Sequence, residues 1–376
     1  MVIWKGAVHY ASDEIYMIGH QPVLVTVDPV SSVILRMELF EALTKEAWEN
    51  HWQALEDAGI KCLGLVKDEG VLMKAAHETS HSAIPVQTDS FHAISHRLGV
   101  FVARLEKKAY KAIEKEYKQK GVAQRAVSVR VKAAKIAKYE KSCEQTIEAI
   151  EQYEQFQFLY TCIYNQLNCF DYRYNARSRV QVIEEVACAL QCMKELNIPK
   201  LDKEIKAIEK LLPNLFDYLP KAGLIQSQLQ QELGIIPAYF WIYAWQNDKK
   251  NRKTKNNQKA KYFKTKALTA LELLKEHYET EGKSDIEWQE LKKYVFDKLD
   301  AIVQSSALVE TINSLLRPYM DSARNQISQE QLNLIRFYLN HRVYKRGKRK
   351  GYSPFELLSG KKIEKNWVEQ LLTIVG

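Results

Sequence analysis

The chain has 376 residues, is 46% hydrophobic and 27% charged, and carries 55 Lys and Arg against 46 Asp and Glu. That length supports two or three packed units with a real core, and the formal charge of +9 favours a polyanionic partner. Six cysteines without disulfide or zinc spacing, no signal peptide and no apolar run of spanning length exclude a disulfide framework, a zinc module and a membrane-spanning protein. The cysteines read as reduced thiols of an intracellular protein.

Strand-type alternation dominates residues 13–40. Ile15-Tyr16-Met17-Ile18 is the first candidate, Gly19-His20-Gln21 turns the chain, and Val23–Val27 is the second. Asp28-Pro29-Val30-Ser31-Ser32 is a turn signal, and 33–39 is the third strand, so an antiparallel meander is expected. Thr44 is a candidate N-cap for a helix with Ala47, Trp48, Trp52 and Leu55 on one face, ending at Gly59. A buried-type strand, 62–66, ends at Asp68; a helix over 71–77 leads to a short strand at 84–87. The order β-β-β-α-β-α-β implies a mixed sheet in an α/β protein.

Beyond residue 90 the composition turns helical. Long amphipathic helices are predicted over 101–120 and 126–160 with Gly121 as a break, then shorter ones over 180–196, 202–211 and 224–233. Residues 248–266 are rich in Lys and Asn and read as an exposed basic linker. Helices resume at 269–281 and 286–304. The expected organisation is a core over 1–100, a helical insertion over 101–300, and a second core part with a basic helical tail over 301–376.

In that last part Val309, Ile312, Leu316 and Tyr319 form an apolar stripe, with Glu310, Asn313 and Arg317 together on the adjacent face. Pro318 should end or kink this helix. A basic stretch, 336–362, interleaves Phe337, Tyr338, Tyr344 and Tyr352 with Arg342, Lys345, Arg346, Lys348, Arg349 and Lys350. That mixture suits a nucleic-acid backbone groove, where phosphate contacts position the strand and do not specify its sequence.

Three separated acids, Asp13, Asp68 and Glu310, are the candidate metal ligands. Phosphodiester chemistry needs several carboxylates, because two Mg²⁺ ions must be held by hard oxygen donors from different elements. Asp28 competes with Asp13, but it sits in a turn signal. Asp89 competes with Asp68, but it reads better as a residue that orients a neighbour or lines the cleft rim. The pairs His77/His81 and His92/His96 have helical spacing for a metal, yet no Cys or acid stands at zinc spacing. Trp241, Trp245 and Trp288 read as helix core.

With Asp13-Glu14-Ile15-Tyr16, Val66-Lys67-Asp68-Glu69-Gly70, Gln87-Thr88-Asp89-Ser90-Phe91-His92 and 305–317, the sequence resembles bacterial insertion-sequence DDE transposases, including the Mutator-like group. The resemblance covers roughly 11–100 and 300–360. It implies an RNase H-like core interrupted by a large helical insertion, and metal-dependent DNA cleavage and strand transfer. Asp13, Asp68 and Glu310 would be the catalytic residues and would hold two Mg²⁺ or Mn²⁺ ions. His92 would contact the scissile phosphate, and Asn313 and Arg317 would position DNA. The implied partners are transposon ends and target DNA, in a homodimer or larger assembly associated with a bacterial nucleoid. Glu69 stands where a small residue is common, and Asp89 where Cys is common. The helix-turn-helix region that commonly precedes the first strand has no counterpart here. A structure-selective nuclease on the same core, or an inactive DNA-binding derivative, stays open.

Overall fold

The structure is a computed structural model that describes residues 4–16, 21–67, 70–282, 284–304, 306–324, 326–347 and 349–375. Among the described residues five strands are formed: β1 Gly6–Tyr16, β2 Pro22–Val27, β3 Ile34–Leu39, β4 Ile60–Lys67 and β5 Val86–Thr88. The first helices are α1 Lys45–Asp57 and α2 Val71–Ser80, and a π-helix spans Phe91–His96. Then come α3 Arg97–Gln124, α4 Val129–Gln166, α5 Arg179–Glu195, α6 Leu201–Leu215 and α7 Tyr218–Leu233. They are followed by α8 Ile235–Lys253, α9 Asn257–Thr280, α10 Asp285–Asp300, α11 Ala307–Ser322, α12 Gln329–His341, α13 Pro354–Ser359 and α14 Trp367–Val375.

The sheet order is β3-β2-β1-β4-β5. The first three strands pair antiparallel, β1 pairs parallel with β4, and β4 pairs parallel with β5. This is the mixed sheet of the α/β expectation. The crossover through α1 lets β4 run beside β1, with Ala11 opposite Val66. Strand one begins earlier than expected, at Gly6, and Asp13 lies inside it. Of the expected strand at 15–18, residues 17 and 18 lie outside the described residues.

Period-two alternation divides the sheet's two faces. Val8, Tyr10, Leu24 and Leu65 pack with Trp48, Trp52, Leu55, Met73 and Ala76 of α1 and α2. Ala11, Ile15, Val23, Val25 and Val66 pack with Val309, Ile312, Leu316 and Leu332 of α11 and α12. Thr44 caps α1 by accepting from Ala47 N–H at 3.0 Å, as its sequence position predicts.

The outer edge of β3 is closed by side chains of α12. Asn340 accepts from Ile34 N–H at 2.8 Å and donates to Ile34 O at 2.9 Å. Arg336 donates to Leu35 O, and Gln329 accepts from Leu39 N–H and donates to Met37 O. An edge strand's unpaired backbone groups are thereby satisfied within the chain.

The chain divides into two compact units: Met1–Asp89 with Tyr172–Asn175 and Pro220–Gly376, and Ser90–Asp171 with Ala176–Leu219. The residues expected as one insertion, 101–300, are thus shared between them, because 220–300 group with the sheet. The second unit is built on α3 lying along α4, with Phe101 against Phe156 and Arg97 paired to Glu204 at 2.7 Å. Gly121 does not break the chain; it lies inside α3.

The expected exposed linker at 248–266 is also helical. It comprises the end of α8, a turn at 254–256 and the start of α9, which Asn256 caps by accepting from Lys259 N–H at 3.0 Å. Lys, Arg, Gln and Ala are good helix formers, and composition alone hid that. Trp241 and Trp245 are buried, and the Trp241 and Trp288 rings pack at 5.0 Å, as core residues. Among the described residues no helix is long and apolar enough to cross a membrane.

Candidate metal and nucleic-acid site

Asp13 is on the β1 face that α11 covers, between Ala11 and Ile15. Its Oδ1 accepts from Glu14 N–H at 2.9 Å, and its Oδ2 accepts from Asn313 Nδ2 at 2.8 Å. Asn313 is buried at 3% exposure. Its Oδ1 is also buried and has no hydrogen-bond partner among the described residues. Reversing the amide would set its oxygen against the Asp13 carboxylate, so an ionised Asp13 fixes this orientation.

Glu310 stands one turn before Asn313 in the first turn of α11, partly exposed. The two are about 4.5 Å apart along the helix axis at 1.5 Å per residue. A carboxylate is also favoured there by the positive end of the helix.

The start of α11 is held by Asp89, directly after β5. The Asp89 carboxylate is buried and its Oδ2 accepts from Ser306 N–H at 2.7 Å and Ser306 Oγ–H at 2.5 Å. Glu310 is therefore bracketed by two contacts to the sheet, at Ser306 and at Asn313. Val309, Ile312 and Leu316 attach the same helix by apolar burial, about 1.5–3 kcal/mol each. A charge-assisted hydrogen bond nets about 1.5–3 kcal/mol. Packing thus supplies most of the attachment, and the polar pairs select one angular and axial position. The apolar stripe departs from expectation at its end: Tyr319 is 38% exposed and Met320 takes the buried place. Pro318 does not end the helix, which runs on to Ser322.

Of the other expected site residues, Asp68 and Lys348 lie outside the described residues. Arg317 is exposed, one turn beyond Asn313. His92 belongs to the helical unit, in the π-helix, with its ring 5.9 Å from that of His96. Arg342, Lys345 and Lys350 line an open cavity of about 510 Å³ with Tyr338, Tyr344 and Trp367. Arg342 lies over the Tyr338 ring at 5.7 Å. Arg346 is exposed, while Arg349 donates to Val30 O at 2.9 Å and so helps hold the β2–β3 turn. Asp28, the competitor of Asp13, is buried and accepts from Val30 N–H, Ser31 N–H and Ser31 Oγ–H, so its carboxylate closes that same turn. His77 bonds Ile84 O, and His81 faces Ser80 and Glu56.

Sequence reasoning missed a buried polar chain on the opposite face of the sheet. Trp52 Nε1 donates to Ser12 Oγ, Ser12 lies 2.8 Å from Thr26 Oγ1, and Thr26 lies 3.0 Å from His51 Nε2. His51 Nδ1 is 3.2 Å from Glu38, which Arg36 grips through two bonds. The donors run in one direction only if neutral His51 carries its proton on Nδ1. Burial holds His51 below its usual pKa, against the opposing pull of Glu38. Burial would raise Glu38, but bonds from His51 and Arg36 outweigh it and lower its carboxyl to about 2. The signal was present as polar Ser12 and Thr26 within otherwise apolar strands.

Asp13, Glu310 and the free Asn313 oxygen are hard oxygen donors, the type that Mg²⁺ and Mn²⁺ accept. Among the described residues no three His, Cys, Asp or Glu side chains form a metal-holding group, and these exclude Asp68. No protein-family model and no curated protein matches the chain.

Proposed function

We propose that this chain is a DDE-type DNA transposase with an RNase H-like core, in which Asp13, Asp68 and Glu310 hold two Mg²⁺ or Mn²⁺ ions. The observation that carries the reading is the Asn313–Asp13 hydrogen bond, which joins the helical turn after Glu310 to the middle of the sheet. Three antiparallel strands with β1 parallel to β4 and β4 parallel to β5 support the RNase H-like assignment. The pairing of Ala11 with Val66 supports the reading, since it sets the end of β4 beside the part of β1 that bears Asp13.

When bound, the two ions would activate the attacking oxygen and stabilise the leaving one. The chain's own residues do the positioning. Asn313 and the Glu14 amide orient the Asp13 carboxylate, and Asp89 fixes the start of the Glu310 helix. Arg317, Arg342, Lys345, Arg346 and Lys350 are cations suited to DNA phosphates. A dimer or larger assembly follows from the need to act on two DNA ends.

The test is a strand-transfer assay with a DNA end bearing a 3′-hydroxyl, a target plasmid and Mg²⁺. The reading expects joined product that requires the cation. Hydrolysis without joined product would instead identify a nuclease on the same core.

A further inference from the structure

The α8–α9 hairpin takes no part in the proposed chemistry, yet it holds the chain's whole excess of positive charge. Residues 249–266 contain nine Lys and Arg and no acid, so the rest of the chain is balanced at 46 against 46. Arg252, Lys253, Lys255, Lys259, Lys261 and Lys264 are exposed around the turn at 254–256.

This arrangement works against the hairpin's own stability. Lys249 and Lys253 are like charges at i,i+4 within α8, and Lys261 and Lys264 at i,i+3 within α9, while Arg252 pairs with Asp248 at 2.9 Å. Each such like-charge pair costs about 0.2–0.5 kcal/mol. Cations lie over the aromatic residues at the root: Lys249 over Trp245 at 4.7 Å, Lys250 over Phe263 at 5.8 Å and Lys266 over the exposed Tyr262 at 4.5 Å. Trp241 and Trp245 are buried. Residues 252–261 carry no large apolar side chain, so the turn lacks the apolar face with which a basic helix enters a membrane surface. It presents Asn256, Asn257, Gln258 and the capped start of α9 beside its cations, which are donors suited to phosphate oxygens.

The root of the hairpin is fixed. Lys249 donates to Gln304 at 2.9 Å and Trp245 Nε1 donates to Asp300 at 3.1 Å, both in the segment that leads into α11. A strand gripped by the turn is thus tied through a short path to the helix that bears Glu310.

We infer that the α8–α9 hairpin is a docking surface for the sugar-phosphate backbone of double-stranded nucleic acid, separate from the basic stretch at 336–362. The binding is electrostatic and blind to sequence.

The experiment is a binding titration of the full chain with a labelled random-sequence duplex, in EDTA, over a salt series. The variants are the triples Lys255→Gln/Lys259→Gln/Lys261→Gln and Lys255→Arg/Lys259→Arg/Lys261→Arg. The Gln triple should bind roughly tenfold or more weakly near 0.1 M salt, with a log–log salt slope flatter by about 2 to 3. The Arg triple should match wild type in both. Thermal midpoints should not fall in the Gln triple, since repulsion is relieved. An unchanged affinity and slope in the Gln triple would overturn the inference. So would loss of binding to phosphatidylserine vesicles with duplex binding intact, which would assign the hairpin to a membrane surface. No divalent cation is present, so a chain that binds through the hairpin and never cuts DNA would remove only the transposase reading.

Discussion

Asn313 Nδ2 donates to Asp13 Oδ2 at 2.8 Å across 300 residues of chain. This contact joins the strand that bears Asp13 to the helix that bears Glu310, one turn before Asn313. Asn313→Ala should cost about 1–3 kcal/mol, as Asp13 loses a buried donor. Urea unfolding measures the cost. The same variant should need more Mn²⁺ for half-maximal cleavage, and an unchanged Mn²⁺ midpoint would separate Asn313 from the site.

Asp89 makes a second, independent prediction. Its carboxylate fixes the start of α11 through Ser306. In Asp89→Ala, amide exchange should quicken across 306–313 ahead of the rest of the sheet unit. Ser306→Ala, which keeps the backbone N–H, should show a smaller change in the same direction. Equal exchange in wild type and Asp89→Ala would remove the clasp.

Some of this was legible in the sequence, and the reasons are physical. Thr44 announced α1 because an N-cap acts within four residues. Asp13 could be preferred over Asp28 because Asp28-Pro29 is a turn signal, and the Asp28 carboxylate does close that turn. The Asp89–Ser306 pair spans 217 residues and carries no local pattern, so only a general orienting role could be read for Asp89. The basic stretch at 249–266 was misread because Lys and Asn suggest a loop, while burial of Ala267, Ala270 and Leu271 on one side of α9 decides for helix.

The polar chain through His51 predicts acid sensitivity. His51 is held below 6.5 by burial, so beneath about pH 6.5 the unfolded chain gains a proton that the folded chain refuses, and stability falls. Glu38 is lowered from 4.5 to about 2, so its contribution is full above about pH 4.5 and is lost as pH falls toward 2. Urea midpoints should therefore drop in two stages on acidification. Glu38→Gln should abolish the lower stage and lower the neutral-pH midpoint. A midpoint flat from pH 7 to 4 would contradict the His51 assignment, and one flat from pH 4.5 to 2 would contradict the Glu38 assignment.

The α12 side chains on the β3 edge predict a large local effect. Asn340 satisfies both backbone groups of Ile34 in a buried setting. Asn340→Leu would leave both unsatisfied and should destabilise by about 2–5 kcal/mol. Gln329→Ala, at the more open end, should cost less. Chemical denaturation of the two variants gives the order.

In the proposed reaction Asp13 and Glu310 hold the divalent cations that cut DNA. The most direct measurement is Mg²⁺-dependent cleavage of a DNA end by wild type, Asp13→Asn and Glu310→Gln, with duplex binding followed in parallel. The account predicts that each variant loses on the order of a thousandfold or more in rate, several kcal/mol of transition-state stabilisation, while still binding duplex. Cleavage by either variant at the wild-type rate would contradict it.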